Sequence, residues 1–145
     1  MKSALIDVGG GMRAVYGAGI YDYLMDNGLF PFSFGIGVSA GAADLAPYFA
    51  RQRGRVLRFY TVYPGRKEYM GLWPLLRHGT FMNLRYIYEE LSNPGKEDPF
   101  DADAFLAAKE DMVFVATDAA TGKPLYFPKE SLRKGDLRVL EASSA

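Results

Sequence analysis

A serine with a glycine two residues to either side is the feature of this sequence with the clearest chemistry. The segment Gly37-Val38-Ser39-Ala40-Gly41 follows an apolar run and leads into an alanine-rich stretch, so it fits a serine at a sharp strand-to-helix turn. Both flanking positions require glycine because side chains there would collide in so tight a turn. We therefore predict that Ser39 is a nucleophile whose hydroxyl lies at the end of a strand.

A second glycine-rich turn lies nearer the N-terminus. Gly9, Gly10 and Gly11 follow a short apolar run. If both strands are parallel, the two turns meet outside the carboxyl ends of the sheet. The amides of these glycines, with that of Ala40, are then predicted to form an oxyanion hole, in which losing one donor costs about 3 kcal/mol of transition-state stabilisation. Arg13 is predicted to orient the loop or hold an anionic head group, and a solvated side chain is the alternative.

The segments around the two turns alternate between strand-like and helix-like patterns. Residues 4–8 predict a short buried strand and residues 32–38 a second strand, while residues 14–27 and 40–52 predict helices. This order, with glycine at both strand-to-helix turns, predicts an α/β fold with a parallel sheet. Further elements are predicted as a strand at 112–116, helices at 82–91, 102–108 and 137–144, and helix caps at Asp101 and Asp136.

The composition fits one globular domain with a real core. The chain has 145 residues, of which 49% are hydrophobic, and its 17 basic residues balance its 17 acidic ones. This balance gives no global attraction to nucleic acid, and the absence of cysteine excludes disulfides, a thiol nucleophile and cysteine metal sites. No apolar run has the length of a signal peptide's core or a membrane span, so we expect a cytoplasmic protein.

Taken together, the two glycine motifs resemble those of the patatin-like phospholipase family, in its bacterial branch. The resemblance lies in the order and spacing of Asp7-Val8-Gly9-Gly10-Gly11-Met12-Arg13 and Gly37-Val38-Ser39-Ala40-Gly41-Ala42. Residues 116–122, 124–127 and 140–145 resemble later segments of the family, namely a strand and turn, its partner strand and an Ala-Ser-rich helix. The resemblance implies a parallel-sheet sandwich related to α/β-hydrolases, with helices on both faces.

That family implies a serine acyl hydrolase of the lipase or phospholipase A type. Ser39 would be the nucleophile of an acyl-enzyme mechanism, with Gly9, Gly10, Gly11 and Ala40 as the oxyanion hole. The resemblance implies a lipid or another acyl ester as the substrate, with possible peripheral contact to a membrane. It implies no metal ion, no organic cofactor and no nucleic acid partner, and it leaves the oligomeric state open.

The family's catalytic base has no counterpart in this sequence. The resemblance implies that the serine pairs with an aspartate in an Asp-Gly-Gly/Ala motif downstream of the Ala-Ser-rich helix, and the sequence ends at Ala145 before such an aspartate. We expect residues 1–145 to be the N-terminal portion of one domain whose remainder lies beyond them. Of the other candidates, His78 is predicted at a helix end, Asp118 in a turn, and Asp44 in a solvated or helix-end position.

Alternatives to the hydrolase hypothesis remain. A chain without its base would be an inactive fragment or an interaction module. Residues 9–14 also fit the G-x-G-x-x-A pattern of dinucleotide-binding proteins, but the second strand ends in Val38-Ser39 and not in the acidic residue that binds ribose. The basic residues at 51–67 are spread over helix and loop without forming one face. The apolar residues at 69–76 are predicted as core, with a cover over the site or a lipid contact as the alternative.

Overall fold

Four strands form one sheet in the order β1-β2-β3-β4. The structure is a computed structural model that describes residues 3–144. The strands are β1 (Ala4–Asp7), β2 (Phe34–Val38), β3 (Asp111–Thr117) and β4 (Pro124–Pro128). The first three are parallel, and β4 returns antiparallel to β3. The predicted α/β class with a mostly parallel sheet is therefore confirmed.

Helices connect the strands and cover the sheet. In the described residues the α-helices are α1 (Val15–Asp26), α2 (Ala40–Phe49), α3 (Arg55–Thr61), α4 (Leu72–His78), α5 (Ala102–Ala107) and α6 (Arg138–Ser144). Short 3-10 helices lie at Gly11–Ala14, Tyr63–Gly65 and Lys129–Ser131. No helix within residues 3–144 combines the length and apolar character needed to cross a membrane.

Several predicted element boundaries are confirmed to within a few residues. Asp101 caps α5 as predicted, because its Oδ1 accepts a hydrogen bond from the Ala104 amide at 2.8 Å. The predicted helix at 82–91 is instead a π-helical segment at Tyr86–Leu91, a wider form of helix in which the backbone bonds span five residues. The motif at 140–145 forms most of α6, and its last residue lies outside the described residues.

Helix α2 is the centre of the core. It is nearly all buried, and it packs directly on β2 because that strand carries glycine at alternate positions on one face. A Cβ at Gly35 would lie 2.6 Å from a ring carbon of Phe49, and one at Gly37 would lie 2.5 Å from the Cα of Ala42. The two glycines therefore allow the helix backbone to approach the strand more closely than any side chain permits.

The prediction that the first strand is buried is wrong. Ile6 is 61% exposed and Val8, just beyond β1, is 70% exposed. In the described part of the sheet, β1 is an edge strand with β2 as its neighbour, and only one of its faces packs towards the core. A short apolar run does not reveal this from sequence, because buried and edge strands share the same residue types.

The close packing of α2 on β2 predicts the outcome of a matched pair of substitutions. Gly37→Ala should lower the free energy of unfolding by about 2 kcal/mol, because the added methyl collides with the backbone of α2. Gly19→Ala, at an open position within α1, should raise it by about 1 kcal/mol through helix propensity. Urea denaturation of both variants measures the difference. Equal stabilities would contradict the packing described here.

Candidate active site

Ser39 has a backbone conformation that non-glycine residues rarely adopt. It lies between the end of β2 and the start of α2, with φ 54° and ψ −133°. Such a conformation costs on the order of 1–3 kcal/mol and persists only when the surrounding structure imposes it. The sharp strand-to-helix turn that the G-x-S-x-G spacing predicts is therefore present.

The glycine loop after β1 is pressed against this turn. A Cβ at Gly9 would lie 2.7 Å from the carbonyl oxygen of Val38 and 2.8 Å from the amide nitrogen of Ala40. A Cβ at Gly41 would lie within 3 Å of the backbone of Asp7. Glycine on each side thus allows two backbone segments to meet directly, a contact that the sequence analysis does not predict for Gly9.

The amides of the glycine loop are not equivalent. Gly9 donates its N–H to Asp7 Oδ1 at 2.8 Å, so this amide is already engaged. Gly11 and Ala40 line the same cleft as Ser39, which leaves them as the better placed candidates for binding an oxyanion. Arg13 donates from Nε to the carbonyl oxygen of Gly10 at 3.4 Å, a contact that fits its predicted role in orienting the loop.

A small, largely apolar cleft of about 80 Å³ opens beside Ser39. The apolar lining comes from α2, α3, the π-helical segment and α6, and includes Val56, Phe59, Met82, Leu84, Ile87 and Leu140. The cleft therefore suits an apolar ligand that extends away from the serine.

The prediction that Asp44 is solvated or at a helix end is wrong. Asp44 lies in the middle of α2, is fully buried and lines the cleft. Its Oδ1 accepts a hydrogen bond from the Tyr60 hydroxyl at 2.6 Å, while Oδ2 has no partner. Burial, together with the negative charge of Asp7, raises the pKa of Asp44 to about 8, although the bond from Tyr60 acts in the opposite direction.

A signal for this burial was present in the sequence. Residues 40–49 are apolar all round the helix apart from Asp44, and a helix of that kind is buried on every side. A single acidic residue within it therefore has no route to solvent.

A buried ion cluster lies next to the cleft and contributes Arg55 to its lining. Arg55, 3% exposed, donates to Asp98 Oδ1 at 2.7 Å and to Ser92 Oγ at 2.7 Å. Arg58 and Tyr63 both donate to Asp98 Oδ2. Burial disfavours the charge on Asp98, but the bonds from Arg58 and Tyr63 and the charge of Arg55 lower its pKa to about 2.

The other arginines of the basic stretch are also engaged with carboxylates. Ion pairs join Arg51 to Glu110, Arg53 to Asp26 and Arg66 to Glu97. These acidic partners are far away in sequence, so the run of basic residues could not reveal them. The stretch contributes structural ion pairs, in line with the prediction that it does not form one basic face.

The remaining candidate bases lie where the sequence predicts them. His78 is the last residue of α4, directly before Gly79. Asp118 lies in a turn, where its Oδ1 accepts hydrogen bonds from the amides of Ala120 and Thr121 at 2.9 Å each. Within residues 3–144, no carboxylate or imidazole is hydrogen-bonded to Ser39. The same residues contain no group of three or more side chains able to hold a metal ion.

The prediction that residues 69–76 belong to the core is wrong for half of them, namely Leu72, Trp73, Leu75 and Leu76. Leu72 is 71% exposed, Trp73 48% and Leu76 83%. Helix α4 projects from a hairpin whose base is fixed by a hydrogen bond from the Asn83 amide to the Tyr69 carbonyl at 2.8 Å. Tyr69 at this base lines the cleft, so the exposed apolar helix is joined through the hairpin to a residue of the cleft.

Comparison with known proteins yields one partial likeness. No family model matches the chain, and no solved structure matches it. The uncharacterized protein YjjU of Escherichia coli (strain K12) is 30% identical over 88 residues, which is 61% of this chain. The matched part spans 25% of the length of YjjU. Because that relative is uncharacterized, the likeness brings no activity to this chain.

The ion cluster at the cleft wall predicts a pH-dependent contribution to stability. Because the pKa of Asp98 is lowered from about 4, its interactions contribute fully above about pH 4 and are lost as the pH falls towards 2. Asp98→Asn should lower the free energy of unfolding at neutral pH by about 3 kcal/mol, because Arg55 then lacks a buried counter-charge. The difference from the unsubstituted protein should shrink in acid.

Denaturation with urea at neutral and acidic pH measures this difference. Asp103→Asn is the matched control, because Asp103 forms an exposed ion pair with Lys134 and its loss should leave stability nearly unchanged. If Asp98→Asn were as mild as the control, the cluster would not stabilise the fold.

Proposed function

We propose that this chain carries the nucleophile and oxyanion hole of a patatin-like serine acyl hydrolase, of the lipase or phospholipase A type. The observation that carries the proposal is the strained backbone of Ser39, held against a glycine loop at the wall of an apolar cleft. Strain of this kind concentrates at sites where the geometry of one side chain matters. The motifs that resemble the family supply the reaction class.

In the proposed reaction, Ser39 Oγ attacks the carbonyl carbon of an ester and loses its proton to a general base. The amides of Gly11 and Ala40 stabilise the negative oxygen that forms, and Ala40 adds the positive end of the α2 dipole. The base returns the proton to the departing alcohol, which leaves Ser39 acylated. Water then hydrolyses this acyl-enzyme, with the same base accepting its proton.

The proposal assigns the general base to an aspartate outside the described residues. The resemblance implies an aspartate downstream of the Ala-Ser-rich helix, which corresponds to α6. This helix lies beside the cleft, because Leu140 and Ser144 line it and the Ser144 hydroxyl is 2.6 Å from that of Tyr88. A segment that continues from α6 therefore starts close to Ser39, as a Ser–Asp dyad requires.

The proposed substrate is an ester with an apolar acyl chain, presented at a lipid surface. The apolar lining of the cleft fits an acyl chain, and the exposed leucines and tryptophan of α4 fit the boundary between lipid head groups and chains. Trp73 also has the guanidinium of Arg77 at 5.8 Å from its ring, a pairing of aromatic and cation suited to that boundary.

A non-catalytic interaction module with this fold is the second candidate. It is favoured by one observation, namely that Ser39 has no basic partner among residues 3–144. The two candidates differ in whether Ser39 reacts as a nucleophile, which a covalent probe can measure directly.

The hydrolase proposal predicts that a fluorophosphonate probe labels the natural protein containing these residues. Ser39→Ala should abolish the labelling, because the probe reacts only with an activated serine. Ser33→Ala is the matched control and should be labelled normally. Ser33 donates a hydrogen bond to the Ser3 carbonyl and does not line the cleft. Labelling that persists in Ser39→Ala, or none in the folded natural protein, would favour the non-catalytic candidate.

The lipid-surface proposal predicts that Leu76→Glu lowers binding to phosphatidylglycerol-containing vesicles about thirtyfold, because a buried leucine contributes about 2 kcal/mol. Co-sedimentation with the vesicles measures the binding. Tyr16→Glu is the control, because Tyr16 is 78% exposed on the separate helix α1. Equal effects of the two substitutions, or no binding by the unsubstituted protein, would reject α4 as the contact.

A further inference from the structure

Two carboxyl groups, those of Asp7 and Asp44, both lie close to Gly17 of α1. Asp7, at the end of β1, accepts hydrogen bonds from the Gly9 amide at Oδ1 and from the Tyr21 hydroxyl at Oδ2, at 2.8 and 2.6 Å. Asp44 accepts from the Tyr60 hydroxyl at Oδ1. Each carboxyl is thus anchored to a different layer of the fold, and neither has a cation as its partner in these contacts.

One oxygen of each carboxyl lies near Gly17 on α1, and the Asp7 oxygen there is the one that accepts from Tyr21. A Cβ at Gly17 would lie 3.3 Å from Asp44 Oδ2 and 3.5 Å from Asp7 Oδ2. Asp44 Oδ2 is buried and has no hydrogen-bond partner. Two negative charges in such a position repel each other strongly, and a single proton relieves both the repulsion and the unpartnered oxygen.

We propose that Asp44 is a positioning residue that holds a proton on its unpartnered oxygen near Asp7 and thereby keeps the glycine loop in place against Ser39. The proton resides on Asp44 Oδ2, and Asp7 accepts a hydrogen bond from the Gly9 amide. Loss of that proton puts a negative charge on Asp44 near the Asp7 carboxyl, pushes Asp7 away and releases Gly9 from its contact with Ala40. The consequence for catalysis rests on the proposed function, whereas the proton on Asp44 and the position of the loop do not.

None of the neighbouring groups named here takes up the proton of Asp44. Its charged and titratable surroundings are Tyr21 on α1, Arg55 and Tyr60 on α3, Tyr88 on the π-helical segment, and Tyr69. Burial raises the pKa of each of these four tyrosines, so they remain hydrogen-bond donors while the pair titrates. Arg55 is occupied by Asp98 and does not neutralise the pair.

The sign of the pH dependence follows from Asp44. Its pKa of about 8 lies above the ordinary value of about 4, so the folded protein holds an extra proton between these limits. The stability contributed by this proton is full below about pH 4 and is lost as the pH rises through about 8. The glycine loop should leave its contact with the serine turn over the upper part of the same range.

The test compares the natural protein with Asp44→Asn, which imitates the protonated carboxyl and has no proton to lose. Infrared difference spectra should show a protonated carboxyl at neutral pH that disappears with a midpoint near pH 8, and the Gly9 amide signal in NMR spectra should shift with the same midpoint. In Asp44→Asn both changes should be absent. Asp111→Asn, at an exposed position on β3, should behave like the unsubstituted protein.

A third readout connects the pair to the reaction. The rate of fluorophosphonate labelling should fall about tenfold per pH unit above about pH 8 in the natural protein, and this fall should be absent in Asp44→Asn. If the natural protein shows no carboxyl signal that titrates, or if that signal is still present in Asp44→Asn, the proposal is overturned. A Gly9 signal that titrates equally in both proteins would overturn it as well.

These readouts separate the two proposals. If the infrared and NMR changes occur as expected but the folded protein is never labelled, the positioning role of Asp44 stands and the hydrolase fails. If labelling occurs and its pH profile is the same in Asp44→Asn, the hydrolase stands and the positioning role fails.

Discussion

The contact between two glycine-containing backbones is the constraint on which the rest of this structure depends. Gly9 meets Val38 and Ala40, and Gly41 meets Asp7, with no side chain between them. The parallel register of β1 and β2 brings the strand ends level, so the loop and the serine turn emerge side by side. A side chain at either glycine would separate the two turns and with them the amides that face the cleft.

The burial of α2 likewise depends on glycines, whose lack of a side chain permits close packing. Gly35 and Gly37 let this helix pack directly on β2, and its own residues fill the core on every side. The helix thereby fixes the N-terminal amide of Ala40 next to Ser39. It also carries Asp44 into the interior, where a charge is expensive unless a neighbour compensates for it. The raised pKa of Asp44 thus results from the close packing of α2 in the core.

Sequence reasoning succeeds here where the determinant is local. Glycine spacing and apolar runs are sufficient to predict the two strand-to-helix turns, the parallel order of the first strands, and the cap at Asp101. It fails where the determinant is a distant partner. The exposure of Ile6 depends on whether a second strand lies beside β1. The exposure of Leu76 depends on whether another part of the fold covers α4. The position of Asp7 and Asp44 near Gly17 brings together residues of three different elements.

The backbone of Ser39 has a consequence for how stability is distributed along the chain. A glycine would adopt its positive φ without steric cost, whereas serine raises the energy of the native state on the order of 1 kcal/mol. Folding by itself would therefore favour glycine at this position. The surrounding packing of α2 on β2 supplies enough free energy to hold a residue in a conformation that it would leave if the helix loosened. At residue 39 the stability of the fold thus favours glycine, whereas the proposed nucleophile requires serine.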